Sequence, residues 1–230
     1  MSEPEEFYIE QLRCGPMQNF VYLVGSRSTR EVAIVDPAWA IDGILEHIEK
    51  RELTLVAALV THYHQDHIGG EIMGHEVEGL AELLERRPSL RIYAHREEAS
   101  GVAQTAGIAE SEVQSVDSQD TLRLGEVEIE FLHTPGHTPG SQCFMARGAL
   151  VSGDTLFIQG CGRVDLPGAD PDQMYASLQK LNGLPEGTVL FPGHDYGGGP
   201  HASLGETRQI NPYLRIPDLE TWRQMMGGGL

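Results

Sequence analysis

From Thr61 to His67 the chain reads Thr-His-Tyr-His-Gln-Asp-His, placing four potential metal ligands, His62, His64, Asp66 and His67, within six residues. Neutral imidazole together with carboxylate is a donor set suited to zinc or iron. If His62 and His64 continue an extended strand, their side chains fall on one side, whereas Asp66 and His67 in the following turn face a neighbouring point. One loop could thus serve two ions. The alternative, a polar loop with coincidental histidines, is disfavoured by that density and by three further motifs. His133-Thr-Pro-Gly-His137-Thr-Pro-Gly140, Gly153-Asp154 and Gly193-His194-Asp195 each follow an apolar run, and their glycines permit close backbone approach.

These groups need a frame that brings them together. Phe20 to Val24 and Val32 to Val35 flank a turn-prone Gly-Ser-Arg-Ser and read as a β-hairpin. Ile41, Ile44, Leu45 and Ile48 recur at helical spacing, and Leu53 to Val60 is an aliphatic run that reads as a buried strand ending at the histidine loop. Val77, Leu80, Leu83 and Leu84 predict a second amphipathic helix, with strands following at Leu90 to Tyr93 and Val127 to Phe131. The stretch from Glu97 to Asp120 is small and polar and carries little signal. Beyond it, strands are predicted at Cys143 to Ala146, Ala149 to Ser152 and Thr188 to Phe191. A helix is capped by Asp170 with Pro171 at its first position and buries Met174, Leu178 and Leu181. Strands gathered inside and helices outside suggest an α/β (α+β) sandwich of αββα type, and residues 1–230 read as one domain. Ligands at the ends of several strands would then meet at one edge.

Composition narrows the chemistry. Sixteen basic residues stand against 34 acidic ones, a formal charge of -18, so a polyanion such as nucleic acid is repelled over most of the surface. No basic, apolar leader and no membrane-length apolar run is present, which predicts a cytoplasmic protein without membrane attachment. Three cysteines, Cys14, Cys143 and Cys161, form no paired spacing and read as reduced thiols.

The succession HxHxDH, TPGHTPG, GD and PGHDY resembles the metallo-β-lactamase superfamily in order and spacing, over essentially the whole chain. That resemblance implies that His62, His64 and His137 hold one metal ion, that Asp66, His67 and His194 hold a second, and that Asp154 bridges them. His133 is then the spare histidine of the tandem, at a strand end. Asp36 corresponds to a position that supports the metal loop through a ligand, although a turn aspartate before Pro37 would look the same. His47, His75, His95 and His201 have no partner motif and read as ordinary histidines.

Within the superfamily, lactamases proper lack a bridging aspartate at the Gly-Asp position, so Asp154 argues against one. The segments Gly153 to Phe157, Gly160 to Pro167 and Leu204 to Arg208 resemble two thiol-handling branches, short hydroxyacylglutathione hydrolases (glyoxalase II-like) and persulfide dioxygenases. The leading expectation is a dinuclear hydrolase with two divalent ions, zinc or else iron or manganese. Metal-bound hydroxide would attack a small thioester such as a glutathione conjugate, with Asp66 and Asp154 catalytic. The alternative is a glutathione persulfide dioxygenase with one Fe(II) on His62, His137 and Asp154. A lactonase or esterase of the same fold is a second alternative, and a metal-binding protein without catalysis a third. Arg163 is the candidate for binding a substrate carboxylate, or else a structural partner of Asp165, and Tyr196 could reach substrate or simply pack. A homodimer stays open.

Overall fold

The computed structural model describes residues 6–226. The chain opens with three antiparallel strands, β1 (Phe7–Cys14), β2 (Asn19–Ser26) and β3 (Glu31–Val35), and then crosses through helix α1 (Ile41–Lys50) to β4 (Thr54–Leu59), parallel to β3. The histidine loop and the one-turn helix α2 (Gln65–Ile68) lead into a small hairpin of β5 (Gly70–Ile72) and β6 (His75–Val77). Helix α3 (Leu80–Arg86), β7 (Arg91–His95), α4 (Ala99–Ala106) and β8 (Val113–Val116) complete this half. Its six-stranded sheet runs in the order β1-β2-β3-β4-β7-β8.

The second half builds β9 (Thr121–Leu124), β10 (Val127–His133), β11 (Gln142–Ala146) and β12 (Ala149–Gly153) as an antiparallel meander. Helix α5 (Pro171–Asn182) then crosses to β13 (Val189–Pro192), parallel to β12, before β14 (Ala202–Ser203), α6 (Leu204–Ile210) and α7 (Leu219–Met226). The second sheet therefore runs β14-β13-β12-β11-β10-β9.

The two sheets face each other across a core in which Tyr22, Val24, Val35 and Leu59 meet Ile129, Phe131, Phe144 and Val151. Alternate residues of the same strands, Val21, Leu23, Ile34 and Ala58, point outward and are covered by Ile41, Ile44 and Ile48 of α1 and by Val102 of α4. Burial on both faces explains why β2, β3 and β4 read as continuous apolar runs rather than alternating ones. On the other flank Met174, Leu178 and Leu181 of α5 pack with Leu150, Leu190 and Trp222. This is the expected αββα arrangement. As predicted, Asp170 caps α5 by accepting the Gln173 amide at 3.0 Å, with Pro171 first in the helix.

Some elements differ from expectation. Val77 belongs to the β5–β6 hairpin rather than to a helix, and α3 begins only at Leu80, where the Glu82 carboxylate accepts the Gly79 amide at 2.7 Å. Strand β1 carries no strong sequence signal because Glu10, Gln11 and Arg13 interrupt it at the sheet edge. The quiet stretch from Glu97 to Asp120 holds α4 and β8.

Candidate metal centre

Strands β10 and β12 are both antiparallel to β11, and β13 is parallel to β12, so the chain leaves all three at the same edge of the second sheet. There the loop after β10 carries His137, the turn after β12 carries Asp154 and the turn after β13 carries His194. The loop after β4 of the first sheet brings His62, His64, Asp66 and His67 to meet them. The sheets are in direct contact at this point: the Gln142 amide donates to the Thr61 carbonyl at 2.9 Å. Gly153 sits at φ +49°, and a Cβ there would stand 2.6 Å from the Thr61 side chain. A Cβ on Gly193 would collide with the Asp154 carboxylate.

The ligand atoms of His62, His64 and His137 all lie within 4.8 Å of one another, and so do those of Asp66, His67 and His194. Within the first group His64 Nδ1 is 3.0 Å from His137 Nε2; within the second, His67 Nε2 is 3.1 Å from His194 Nε2. Asp154 lies between them, with Oδ2 at 3.7 Å from His137 Nε2 and 3.4 Å from His194 Nε2, and Oδ1 at 3.4 Å from His67 Nε2. His62 Nε2 and Asp154 Oδ1 are buried without a hydrogen-bond partner. Orphaned lone pairs of this kind are costly in a protein interior and are what a cation would satisfy. The donor set and its spacing fit two metal ions.

The ring orientations are held from behind. His67 Nδ1 lies 3.0 Å from the Asp36 carboxylate, His137 Nδ1 donates to the Arg163 carbonyl at 2.8 Å, and His194 Nδ1 donates to the Met17 carbonyl at 3.0 Å. Each bond holds a proton on Nδ1 and turns Nε2 toward the centre. Asp36 also accepts the Thr61 amide at 2.8 Å and its hydroxyl at 2.6 Å, fixing the start of the histidine loop. It does so from a left-handed backbone conformation with φ 51°.

Electrostatics divide the histidines. Burial, reinforced by the neighbouring imidazoles, holds His62 well below its ordinary value and His64 down at about 4, so both are neutral near pH 7. Burial also pulls on His67 and His194, but Asp66 and Asp154 outweigh it and raise them to about 9 and about 10. The carboxylates answer in kind. Against the upward push of burial, His194 and His67 bring Asp154 down to about 2, and Asp66 lies below the usual carboxylate range.

The other sequence candidates lie around this cluster. His133 stacks on His95 at 3.7 Å between ring centres, and its Nε2 meets the Pro139 carbonyl at 2.9 Å; it is not among the clustered ligand groups. Tyr196 lies parallel to the His194 ring at 4.5 Å and is 53% exposed. Arg163 makes a two-pronged pair with Asp165 at 2.9 and 2.8 Å with its guanidinium exposed, and its carbonyl accepts from His137 at 2.8 Å. Cys161 is partly buried, and burial pushes its thiol up to about 12. A cavity of about 400 Å³ beside His64 and Asp66 is lined by Met17, Tyr63, Ile72, Leu166 and Pro167.

Two residues have no counterpart in the sequence reasoning. Asn19 donates through Nδ2 to the Asp66 carboxylate at 2.9 Å and to its carbonyl at 3.0 Å. Glu98, in the stretch without signal, accepts hydrogen bonds from both ligand-bearing loops. Neither belongs to a motif, and their partners are 47 and 35 to 40 positions away.

Comparison with known proteins points to one family. The family described as the metallo-beta-lactamase superfamily matches residues 14–194. A probable hydroxyacylglutathione hydrolase of Schizosaccharomyces pombe is 31% identical over 92% of this chain and 88% of its own length. The hydroxyacylglutathione hydrolase of Tolumonas auensis is 35% identical over 77% of this chain, which spans only 62% of that enzyme. Among solved structures, ETHE1 from Myxococcus xanthus superposes with a TM-score of 0.80 at 28% identity, covering 96% of this chain and 90% of that one. The di-iron-bound structure of TTHA1623 gives 0.71 at 32% identity, over 89% of this chain and all of the other. With the matched family model spanning most of its length and the ligand motifs meeting at one sheet edge, this chain belongs to the metallo-β-lactamase superfamily.

Proposed function

We propose that the protein is a dinuclear metal-dependent hydrolase of small thioesters, with an acylated glutathione as its substrate. The observation that carries this reading is the position of Asp154 between two complete ligand groups, within 3.4 to 3.7 Å of His67, His137 and His194. Under this reading His62, His64 and His137 would hold one ion and Asp66, His67 and His194 the other, with Asp154 a shared ligand. Two divalent ions held by these residues would supply an activated water and positive charge for the thioester carbonyl oxygen. The hydrolase names of the relatives support the same choice.

The protein's own groups do the positioning. Asp66, steadied by Asn19 and by the Trp39 indole, which donates to its carbonyl at 2.9 Å, orients the nucleophile. The apolar cavity beside His64 and Asp66 receives the substrate, and the exposed Tyr196 ring borders the approach over His194. A thiolate is a good leaving group, so no strong acid is needed.

The test is anaerobic hydrolysis of S-lactoylglutathione by protein reconstituted with zinc alone, with metal analysis alongside. Turnover with about two ions per chain supports the proposal. The second reading, a one-iron persulfide dioxygenase, draws on the burial without a partner of His62 Nε2 and Asp154 Oδ1, atoms of two members of its iron triad. Oxygen consumption that appears only with glutathione persulfide, in protein that leaves thioesters intact, would install that reading instead.

A further inference from the structure

Glu98 stands between β7 and α4 and is fully buried. Among the described residues no lysine, arginine or histidine is paired with it in a salt bridge. Its three hydrogen-bond donors are neutral. Oε1 accepts the Tyr63 amide at 2.8 Å and the Thr138 hydroxyl at 2.7 Å, and Oε2 accepts the Gly140 amide at 2.8 Å. Tyr63 lies between His62 and His64 in sequence, and Thr138 directly follows His137. The approach is tight: a Cβ on Gly140 would stand 2.6 to 2.7 Å from Glu98 atoms.

A carboxylate among neutral donors costs free energy that an apolar side chain of similar volume would not. What it supplies here is geometry. The first ligand group is drawn from two sheets, His62 and His64 from one and His137 from the other, and two loops must hold their nitrogens at a fixed separation. Gln142 ties the base of the two segments through Thr61 and Val60. Glu98 ties them again at the level of the histidines. The second group is held by other residues, Asp36 behind His67 and Asn19 behind Asp66.

We propose that Glu98 is a positioning residue that sets the separation of the His62/His64 segment from the His137 loop, and so the affinity and geometry of the first ion position alone. The proposal rests on the ligand assignment given above.

Cobalt(II) titration of metal-free protein, followed by its visible absorption bands and by chelator competition, tests it. His137→Ala identifies the bands of the first position. In Glu98→Gln, where an amide N–H must face a donor, the first ion should bind about 10- to 100-fold more weakly with shifted bands. The second ion should stay within about threefold of the wild type. Thr138→Val should weaken the same position, and Thr138→Ser, which keeps the hydroxyl, should restore it. The Thr138 pair decides the question if Glu98→Gln does not fold. Equal weakening of both positions would mark Glu98 as a general stabiliser and overturn the proposal, as would unchanged binding. Wild-type protein that takes up fewer than two cobalt ions would instead sink the two-ion reading on which it rests.

Discussion

The Asp36 carboxylate lies 3.0 Å from Nδ1 of His67, 31 positions away, and also accepts the Thr61 amide and hydroxyl, so one buried aspartate sets both a ring tautomer and a loop origin. Replacing it removes the acceptor that leaves His67 Nε2 free to face the centre. Asp36→Ala should weaken the second ion by about 10- to 100-fold, measured by chelator competition. Asp36→Asn keeps an acceptor for Thr61 and should lose less. An Asp36→Ala protein that binds both ions at full strength would remove Asp36 from this role.

Asp66 and His133 both sit in histidine-rich motifs, but only Asp66 is among the clustered groups. Asp66→Ala should lower kcat for thioester hydrolysis about a hundredfold or more, whereas His133→Ala should stay within a few-fold. Steady-state kinetics on folded protein of measured metal content checks this. Similar losses in the two variants would mean that the tandem histidine has been misplaced.

The metal-free protein should be most stable near pH 6.5. His62 and His64 have folded values below the ordinary 6.5, so the folded state refuses protons that the unfolded chain accepts, and stability falls as pH drops from about 6.5 toward 4. His67 and His194 are raised to about 9 and about 10, so their contribution is complete below 6.5 and is lost as pH rises through those values. Urea midpoints of chelator-treated protein between about pH 5 and 9 should trace a maximum. A profile that climbs or falls throughout would contradict these assignments.

Arg163 is the candidate for gripping a substrate carboxylate, and in this structure its exposed guanidinium pairs with Asp165. An exposed pair of this kind is worth little energetically. If the guanidinium stays with Asp165, Arg163→Ala should change KM for an acylglutathione by less than about threefold. A larger rise, with kcat retained, would show that the guanidinium leaves Asp165 to meet the substrate.

What the sequence determined by itself is what depends on neighbours along the chain. Four ligand candidates between His62 and His67, the Gly-Asp and Gly-His-Asp turns, the aliphatic run before Thr61 and the Asp170-Pro171 helix start are local patterns, and local spacing is enough to read them. The doubly buried strands β2, β3 and β4 were equally legible, because burial on both faces leaves no polar position. What only the tertiary structure decided depends on groups far apart in the chain. The edge strand β1 is built from mixed residues and owes its place to pairing with β2. Val77 pairs with Gly70 in a hairpin although its spacing to Leu80 and Leu84 suits a helix, because strand pairing outweighs a weak periodic preference. The service of Asn19 to Asp66 and of Glu98 to Tyr63 and Thr138 consists of hydrogen bonds spanning 35 to 47 positions. A hydrogen bond is satisfied by proximity in space and leaves no period or spacing in the chain, so these positions look like any other polar residue until the two sheets close on each other.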